Sequence, residues 1–233
     1  MLPKIDYPTF TDILPSTGEK ITFRPFLVKE EKILLLAQQS NEVEDSIRAM
    51  SQIIGNCVLS KINIDDLPIF DIEYLFLKLR AKSVNNIVEL KYKDNEDNKV
   101  YDFALDLDDI KVTKDPANNK NIQITDTIGI VMKYPNFKMM MKFTEFDEND
   151  PDEVLEVVSE CIDSIYNDDS VYKASEHTTE EMKEFLSSLS LQQMEKIYDF
   201  FQSLPKIEHT INYINSLGNN RSITLEGVND FFQ

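Results

Sequence analysis

Two hairpin patterns constrain the fold of this chain more than any other feature. Near the N terminus, Thr9–Leu14 and Lys20–Phe26 flank a turn with the sequence Pro-Ser-Thr-Gly. At the centre, Ile87–Tyr92 and Val100–Leu107 flank the polar turn Asp94–Asn98, and apolar residues recur along them at strand spacing. Strands that are joined by such short turns pair antiparallel, so the sequence predicts small antiparallel sheets.

Helical periodicity occupies the segment between the two hairpins. Val28–Gln39 is rich in leucine, and Glu42–Ser60 carries an apolar stripe at the spacing of an amphipathic helix. Asp71–Lys82 has the same pattern, and we expect Asp71 to be its N-terminal cap because Asp is among the preferred capping residues. The sequence therefore predicts three helices in this segment.

The C-terminal third is predicted to be mainly helical. Asp150 is followed by proline, which is typical of a helix N terminus, and the apolar stripe of this helix extends to Ile165. Thr178 and Ser190 each begin a capping box, in which a Glu or Gln three residues later completes the pair. Two further helices are expected after these boxes.

Together these elements predict an α+β chain in three parts. An N-terminal hairpin plus helices occupies residues 1–84, a central antiparallel β module 85–145, and an acidic helical part 146–233. No flexible Gly/Ser linker marks the second boundary, so one compact unit remains an alternative. Further short strands are predicted between residues 110 and 134 and, in the tail, at Ile207–Tyr213 and Ser222–Leu225.

The charge of the chain is strongly negative. Its net value is −18, from 42 acidic and 24 basic residues. Such a field repels nucleic-acid phosphates and anionic lipids, so we expect neither nucleic acid nor a membrane as a partner. No stretch of about 18 uncharged apolar residues occurs, which argues against a membrane-spanning helix. Encounter with basic proteins is favoured, although good solubility alone also accounts for the charge.

Residues that bind cofactors or metals are sparse. The five glycines are too dispersed for a phosphate loop or a dinucleotide turn, and His177 and His209 lie outside any nucleophile motif. Cys57 and Cys161 are too few for a disulfide framework or a four-cysteine zinc site, so we expect buried free thiols. The sequence predicts no cofactor, no metal site and no catalytic residue.

An acidic run is the sharpest local feature, because no Lys or Arg occurs between Phe143 and Tyr172. A calcium loop fails on spacing, since Pro151 interrupts the ligand alternation and no glycine follows at the sharp turn. Three interpretations stay open, namely a solvated face, a surface for a basic partner, and weak cation binding by a loose cluster. The predicted partner-binding residues of this run are Asp147, Glu148, Asp150, Asp152 and Glu153.

Two adjacent phenylalanines, Phe231 and Phe232, lie at the end of the sequence. Either they fold back onto the helices or they anchor in a neighbour's groove, where aromatic residues dominate interface energies. Both are included among the predicted partner-binding residues. The anchoring alternative predicts that replacing both with alanine weakens partner binding and leaves the melting temperature nearly unchanged.

Segments spread over nearly the whole chain carry a family resemblance. They are Pro3–Pro8, Leu14–Gly18, Phe23–Lys32, Leu77–Ser83, Met132–Pro135, Phe200–Lys206 and Gly227–Phe232. In their order the chain resembles the baseplate hub and hub-assembly proteins of T-even-type contractile-tailed phages, the myoviruses. None of the segments is a catalytic signature, so the resemblance rests on their joint order.

This resemblance implies a non-enzymatic role in tail assembly through protein–protein binding. The first hypothesis is an assembly factor or chaperone for a hub or tape-measure protein. The alternative is a structural hub subunit retained in the virion, and an enzyme with an unrecognised carboxylate site ranks last. The implied partners are other phage tail or baseplate proteins in a hetero-oligomer, with a homo-oligomer left open. The implied location is the host cytoplasm during assembly, with the virion baseplate as the second location.

Overall fold

A computed structural model describes residues 5–40, 43–143 and 146–231. Its helices and antiparallel strands confirm the α+β class. The helices are α1 (Val28–Ser40), α2 (Val43–Cys57), α3 (Ile69–Ser83), α4 (Phe137–Lys142), α5 (Pro151–Glu160), α6 (Thr179–Ser187) and α7 (Leu191–Gln202). The strands are β1 (Phe10–Ile13), β2 (Lys20–Phe23), β3 (Ile87–Lys93), β4 (Val100–Asp106), β5 (Val112–Thr113), β6 (Asn121–Gln123), β7 (Gly129–Met132), β8 (Ile162–Tyr166), β9 (Val171–Lys173), β10 (Lys206–Ile214) and β11 (Asn220–Glu226).

The chain forms two compact units. Unit 1 comprises Met1–Thr113 together with Lys206–Gln233, and unit 2 comprises Lys114–Pro205. These divisions differ from the predicted boundaries at residues 84/85 and 145/146. The reason is a pairing between distant parts of the chain, because β10 pairs antiparallel with both β5 and β11 and so returns the C-terminal segment to unit 1.

The N-terminal hairpin and its helices form the first half of unit 1. β1 and β2 pair antiparallel as predicted, and Gly18 closes their turn with a φ of 75°, a conformation that glycine adopts without steric cost. Ile21 and Phe23 of β2 are fully buried, as are Ile54 and Cys57 on the apolar stripe of α2. Burial of each such large apolar side chain stabilises the fold by roughly 1.5–3 kcal/mol.

Asp71 does not cap α3 as predicted. The helix begins two residues earlier, at Ile69, with Pro68 in the cap position. Asp71 instead lies within the first turn, and its buried carboxylate accepts hydrogen bonds from the backbone N–H (3.1 Å) and the hydroxyl of Ser16. A side chain predicted to serve its own helix therefore fixes the turn of the N-terminal hairpin.

Two longer hairpins, β3–β4 and β10–β11, meet in the second half of unit 1. The ring centroid of Tyr213 on β10 lies 5.0 Å from that of Tyr101 and 5.3 Å from that of Phe103, both on β4. The buried carboxylate of Asp94 accepts from the Tyr213 hydroxyl at 2.5 Å and from Arg221 Nε at 3.2 Å. These donors, the Tyr213 hydroxyl first, lower the pKa of Asp94, so the two hairpins are joined around an ionised carboxylate.

Unit 2 is built on a four-stranded antiparallel sheet in the order β6-β7-β8-β9. Ile130 and Ile162 on the sheet and Ile197 on α7 are fully buried in its core, and Val158 places α5 against the same cluster. The predicted capping boxes at Thr178 and Ser190 are both present and begin α6 and α7. Within the described residues, no helix is both long and apolar enough to cross a membrane.

The acidic helix of unit 2 is shorter than predicted. It ends at Glu160, and the residues predicted to continue its apolar stripe to Ile165 form β8 instead. Ile162 and Ser164 alternate as buried residues along this strand, which pairs with β7 on one side and β9 on the other. The C-terminal part of the chain therefore contains the strands β8 to β11 as well as the three predicted helices.

Candidate functional site

A pocket of about 300 Å³ opens beside α6 in unit 2, and we call it the α6 pocket. Three side chains, Asn167, His177 and Glu181, form the polar part of its lining. A concave, mainly apolar surface with a few polar groups is typical of a binding site, and this volume is at the lower end of the usual range. The apolar walls are Ile128, Ile165, Tyr166, Tyr172, Met182 and Phe185.

Gly129 fixes the Tyr166 wall of the α6 pocket. The two residues face each other across the β7–β8 pair, and a Cβ atom at Gly129 would overlap the tyrosine ring. Only glycine therefore lets this ring lie against the β7 backbone. The Tyr166 hydroxyl donates to Gln123 Oε1 at 3.2 Å, so the ring is held at both ends.

The N terminus of α6 fixes the polar side of the pocket. The Glu181 backbone N–H donates to Thr178 Oγ1 at 3.2 Å, and the Thr178 backbone N–H donates to Glu181 Oε2 at 2.8 Å. This backbone donor lowers the pKa of Glu181 and holds the side chain as a carboxylate. His177 Nδ1 lies 3.5 Å from Glu181 Oε2, and the His177 and Tyr172 ring centroids are 6.3 Å apart.

Negative charge predominates in the segment that lines most of the pocket, and Glu181 is part of the lining itself. Residues 162–187, which contribute most of its lining, contain seven acidic residues and two lysines. One of the two positive charges is already paired, because Lys183 Nζ donates to Asp152 Oδ2 at 2.5 Å. All seven acidic residues are exposed, and they are Asp163, Asp168, Asp169, Glu176, Glu180, Glu181 and Glu184.

The acidic run mostly serves its own backbone. Asp150 caps α5 by accepting from the Asp152 N–H at 2.9 Å, and Glu153 Oε2 accepts from the Asp147 N–H at 2.9 Å. Asp147 in turn accepts from the backbone and side chain of Asn149, and these donors lower the pKa of Asp147. The carboxylates are therefore arranged to begin a helix rather than to converge on one point.

Glu148 and Asp152 are the other two predicted residues of the run. Glu148 is exposed, and Asp152 forms the ion pair with Lys183 that links α5 to α6. Residues 5–40, 43–143 and 146–231 contain no group of three or more His, Cys, Asp or Glu side chains placed to hold a metal ion. A role of the acidic run in partner binding stays a prediction.

The two C-terminal phenylalanines differ in what the structure shows of them. Phe231 is fully buried in unit 1, at the end of a short 3-10 helix that contacts α3 and β11. Its position is fixed nearby, because the Val228 N–H donates to Glu73 Oε1 at 3.2 Å and Gly227 turns the chain with a φ of 65°. Phe231 thus folds back onto its own unit, the first of the two alternatives, while Phe232 lies outside the described residues.

The two cysteines are buried free thiols, as predicted. Burial raises the pKa of Cys57 to about 11 and the pKa of Cys161 to about 12. The thiolate is the reactive form of cysteine, so both residues are inert packing groups near neutral pH.

The α6 pocket was missed by reasoning from the sequence alone. Its walls come from four separate segments, and the predicted extension of α5 to Ile165 placed that lining residue on the wrong element. Gly129 was a usable signal, because an isolated glycine within a strand pattern often marks the close approach of another group.

Comparison with known proteins identifies the family. The family model described as T4 bacteriophage base plate protein matches residues 7–233, almost the whole chain. No curated protein and no solved structure matches the chain. The match confirms the resemblance that the ordered segments of the sequence indicated. The chain therefore belongs to the T4 bacteriophage base plate protein family.

Proposed function

We propose that this baseplate protein acts by binding other tail or baseplate proteins, as an assembly factor and not as an enzyme. The observation that carries the proposal is the α6 pocket, a preformed apolar cavity in a segment with seven exposed carboxylates. Unit 2 as a whole carries 19 acidic and 8 basic residues over 114–205, so its net charge of −11 is more than half of the total of −18.

The character of this surface favours reversible binding. Permanent subunit interfaces are large and apolar at their centre, and charged residues are depleted there. A small apolar pocket in a segment rich in exposed carboxylates fits a partner that is captured and later released. Electrostatic attraction of this kind accelerates encounter more than it prolongs residence.

A second candidate function is a structural subunit of the baseplate hub. Unit 1 supports it through α1, which exposes Val28 at 81%, Leu35 at 53% and Leu36 at 57%. Neighbouring large apolar side chains on one helix are what a permanent interface would bury. This candidate predicts a fixed copy number in the particle.

Quantitative mass spectrometry of purified particles beside the infected-cell lysate tests the proposal. We expect the protein to be abundant in the lysate, in complexes with tail or baseplate proteins, and absent from finished particles. A fixed stoichiometry in particles would establish the structural subunit instead. Failure to co-purify with any tail or baseplate protein, from either source, would contradict both candidates.

A further inference from the structure

We propose that the α6 pocket is the docking site for a basic segment of a partner protein, which inserts one large apolar side chain between Tyr172 and Phe185. The inference rests on the proposed function and specifies the chemistry of the partner. Lys and Arg residues that flank the inserted side chain would meet the exposed carboxylates of residues 162–187.

The interior of the pocket determines the kind of side chain that it accepts. Its walls are three aromatic and three aliphatic or thioether side chains, of which Met182 is buried and Tyr172 is 43% exposed. A volume of about 300 Å³ is large enough for one Phe, Leu or Met side chain with part of its backbone, but too small for a whole helix. The pocket therefore fits an anchor residue and not an extended apolar surface.

The acidic composition of residues 162–187, with Glu181 in the pocket lining, determines the charge of the bound segment. Seven exposed carboxylates lie in residues 162–187, and one of the two lysines there is neutralised by Asp152. An acidic or neutral segment would lose hydration without gaining ion pairs, whereas a basic segment gains attraction at each flanking position. Charge complementarity thus selects a basic occupant.

The pocket is also preformed, which lowers the entropic cost of binding. Tyr166 is held against Gly129 and hydrogen bonded to Gln123, while the capping box holds Glu181 at the exposed margin. Side chains that are already fixed lose little freedom when a ligand arrives. A short segment can therefore bind measurably without the rest of its protein.

Selection from a displayed library of random 12-residue peptides tests this directly, with the full chain as the target. A library of this kind samples every combination of one anchor and several flanking residues. We expect enriched peptides to carry a large apolar residue with Lys or Arg within three positions on either side. Enrichment of acidic peptides, of peptides without such an anchor, or of none at all would overturn the proposal.

Two pairs of variants then locate the site, with binding of the enriched peptide followed by fluorescence anisotropy. Tyr172→Ala should weaken binding about threefold to tenfold, because an aromatic contact is lost. Its matched control is Tyr198→Ala, since Tyr198 on α7 is 42% exposed and does not line the pocket. Equal effects of the two substitutions would place the peptide elsewhere and overturn the proposal.

The second pair tests the charge. Glu181→Gln keeps the capping box, because Gln also serves at that position, but removes one negative charge. We expect about twofold to fivefold weaker binding at low salt and a smaller difference at high salt, with Glu195→Gln on α7 as the control. If the two substitutions weakened binding equally, or if the loss of affinity did not depend on salt, the proposed attraction between the peptide's basic residues and Glu181 would be overturned.

The outcomes separate this inference from the proposed function. If the peptide tests fail but the protein still co-purifies with tail or baseplate proteins, only the docking site is wrong. If no such partner co-purifies, the proposed function itself fails. A change of oligomeric state in Tyr172→Ala, measured by light scattering, would show that a second copy of the chain occupies the pocket and would also overturn the proposal.

Discussion

The two units use their carboxylates in opposite ways. In unit 1, Glu30, Asp71 and Asp94 are fully buried, and each accepts hydrogen bonds from more than one donor. Among the described residues of unit 2, no Asp or Glu is buried. Burying a carboxylate is costly unless donors replace its hydration, so those of unit 1 are committed to the fold. Those of unit 2 keep at least part of their hydration, and several also accept hydrogen bonds from the N termini of their own helices.

This difference shows why a net charge by itself says little about function. Residues 114–205 carry −11 of the total of −18, and the remaining 141 residues carry −7. Unit 1, which has the smaller net charge, contains all the buried carboxylates of the described residues, and these carboxylates act as hydrogen-bond acceptors within the fold. If the comparison is right, removing a buried carboxylate from unit 1 should reduce stability, whereas removing an exposed carboxylate beside the α6 pocket should mainly weaken binding.

The largest expected effect concerns the two phenylalanines that the comparison places in different environments. Phe231→Ala removes a fully buried ring from unit 1, and we expect a loss of about 3–5 kcal/mol in the free energy of unfolding. Phe146→Ala in unit 2 removes a ring that is 39% exposed and should cost about 1 kcal/mol or less. Urea unfolding followed by circular dichroism measures both.

If Phe231 were instead an anchor in a partner's groove, its replacement would weaken partner binding and leave stability unchanged. If Phe231→Ala left the unfolding free energy unchanged and weakened co-purification with tail proteins, the ring would belong to an interface.

The buried ion pair of unit 1 should give an effect of similar size. The Glu30 carboxylate accepts from Arg24 Nη2 at 3.1 Å and from the Leu27 N–H at 2.9 Å, and its side chain is fully buried. Glu30→Ala leaves the Arg24 guanidinium largely buried without its carboxylate, which should cost about 3–5 kcal/mol. Glu31→Ala, one residue later and exposed, should change stability by less than about 0.5 kcal/mol. Equal effects in urea unfolding would contradict the structural role of Glu30.

The same glycine-to-alanine substitution should have opposite signs in the two units. Gly129→Ala forces the Tyr166 ring away from β7 and should destabilise unit 2 by about 1–3 kcal/mol. Gly55→Ala lies within α2, where the nearest atom to the new Cβ is 3.9 Å away, and should stabilise unit 1 by about 0.5–1 kcal/mol.

A double substitution identifies the cause of the first effect. In a chain that already carries Tyr166→Ala, Gly129→Ala should change the stability very little, because the ring that the new Cβ would overlap is absent. If the two substitutions instead lowered the melting temperature additively, Tyr166 would not lie against Gly129. The tyrosine ring would then not form this wall of the pocket.

Elements set by local chemistry could be predicted from the sequence. Both capping boxes depend on groups three residues apart, and they begin α6 and α7 where the pattern indicated. The β3–β4 hairpin likewise follows from alternation around a polar turn. Such features need no knowledge of the rest of the fold, because the interacting groups are neighbours in the chain.

Features set by distant pairing could not be predicted. Ile162 and Ile165 continue the helical spacing from Val158, so periodicity alone favours helix, and only pairing with β7 and β9 makes them a strand. The pairing of β10 with β5 likewise joins segments that are far apart in the sequence, so no local pattern predicts it. The α6 pocket depends on both the strand β8 and its neighbours, which is why no single segment revealed it.

The smallest expected effect comes from the polar tip of unit 1, and its signature is a dependence on pH. Asp97 accepts from the Tyr101 hydroxyl at 2.6 Å, from the Lys99 N–H and from the backbone and hydroxyl of Ser216. These donors, Tyr101 first, lower the pKa of Asp97 well below its ordinary value. Because the ionised form is favoured in the folded state, its contribution to stability is complete above the unfolded pKa near 4 and is lost as pH falls through the folded pKa.

Asp97→Asn should therefore lower the melting temperature modestly at pH 7, and the difference from the unmodified chain should narrow as the pH falls below about 4. Asp102→Asn is the matched control, because Asp102 lies on the neighbouring strand with 75% of its side chain exposed and only a 3.9 Å ion pair to Lys91. It should change the melting temperature little at either pH. If the difference in melting temperature between Asp97→Asn and the unmodified chain stayed constant from pH 7 to pH 3, these donors would not hold the Asp97 carboxylate. The tip of unit 1 would then resemble the exposed carboxylates of unit 2, and the contrast between the units would not extend to the surface of unit 1.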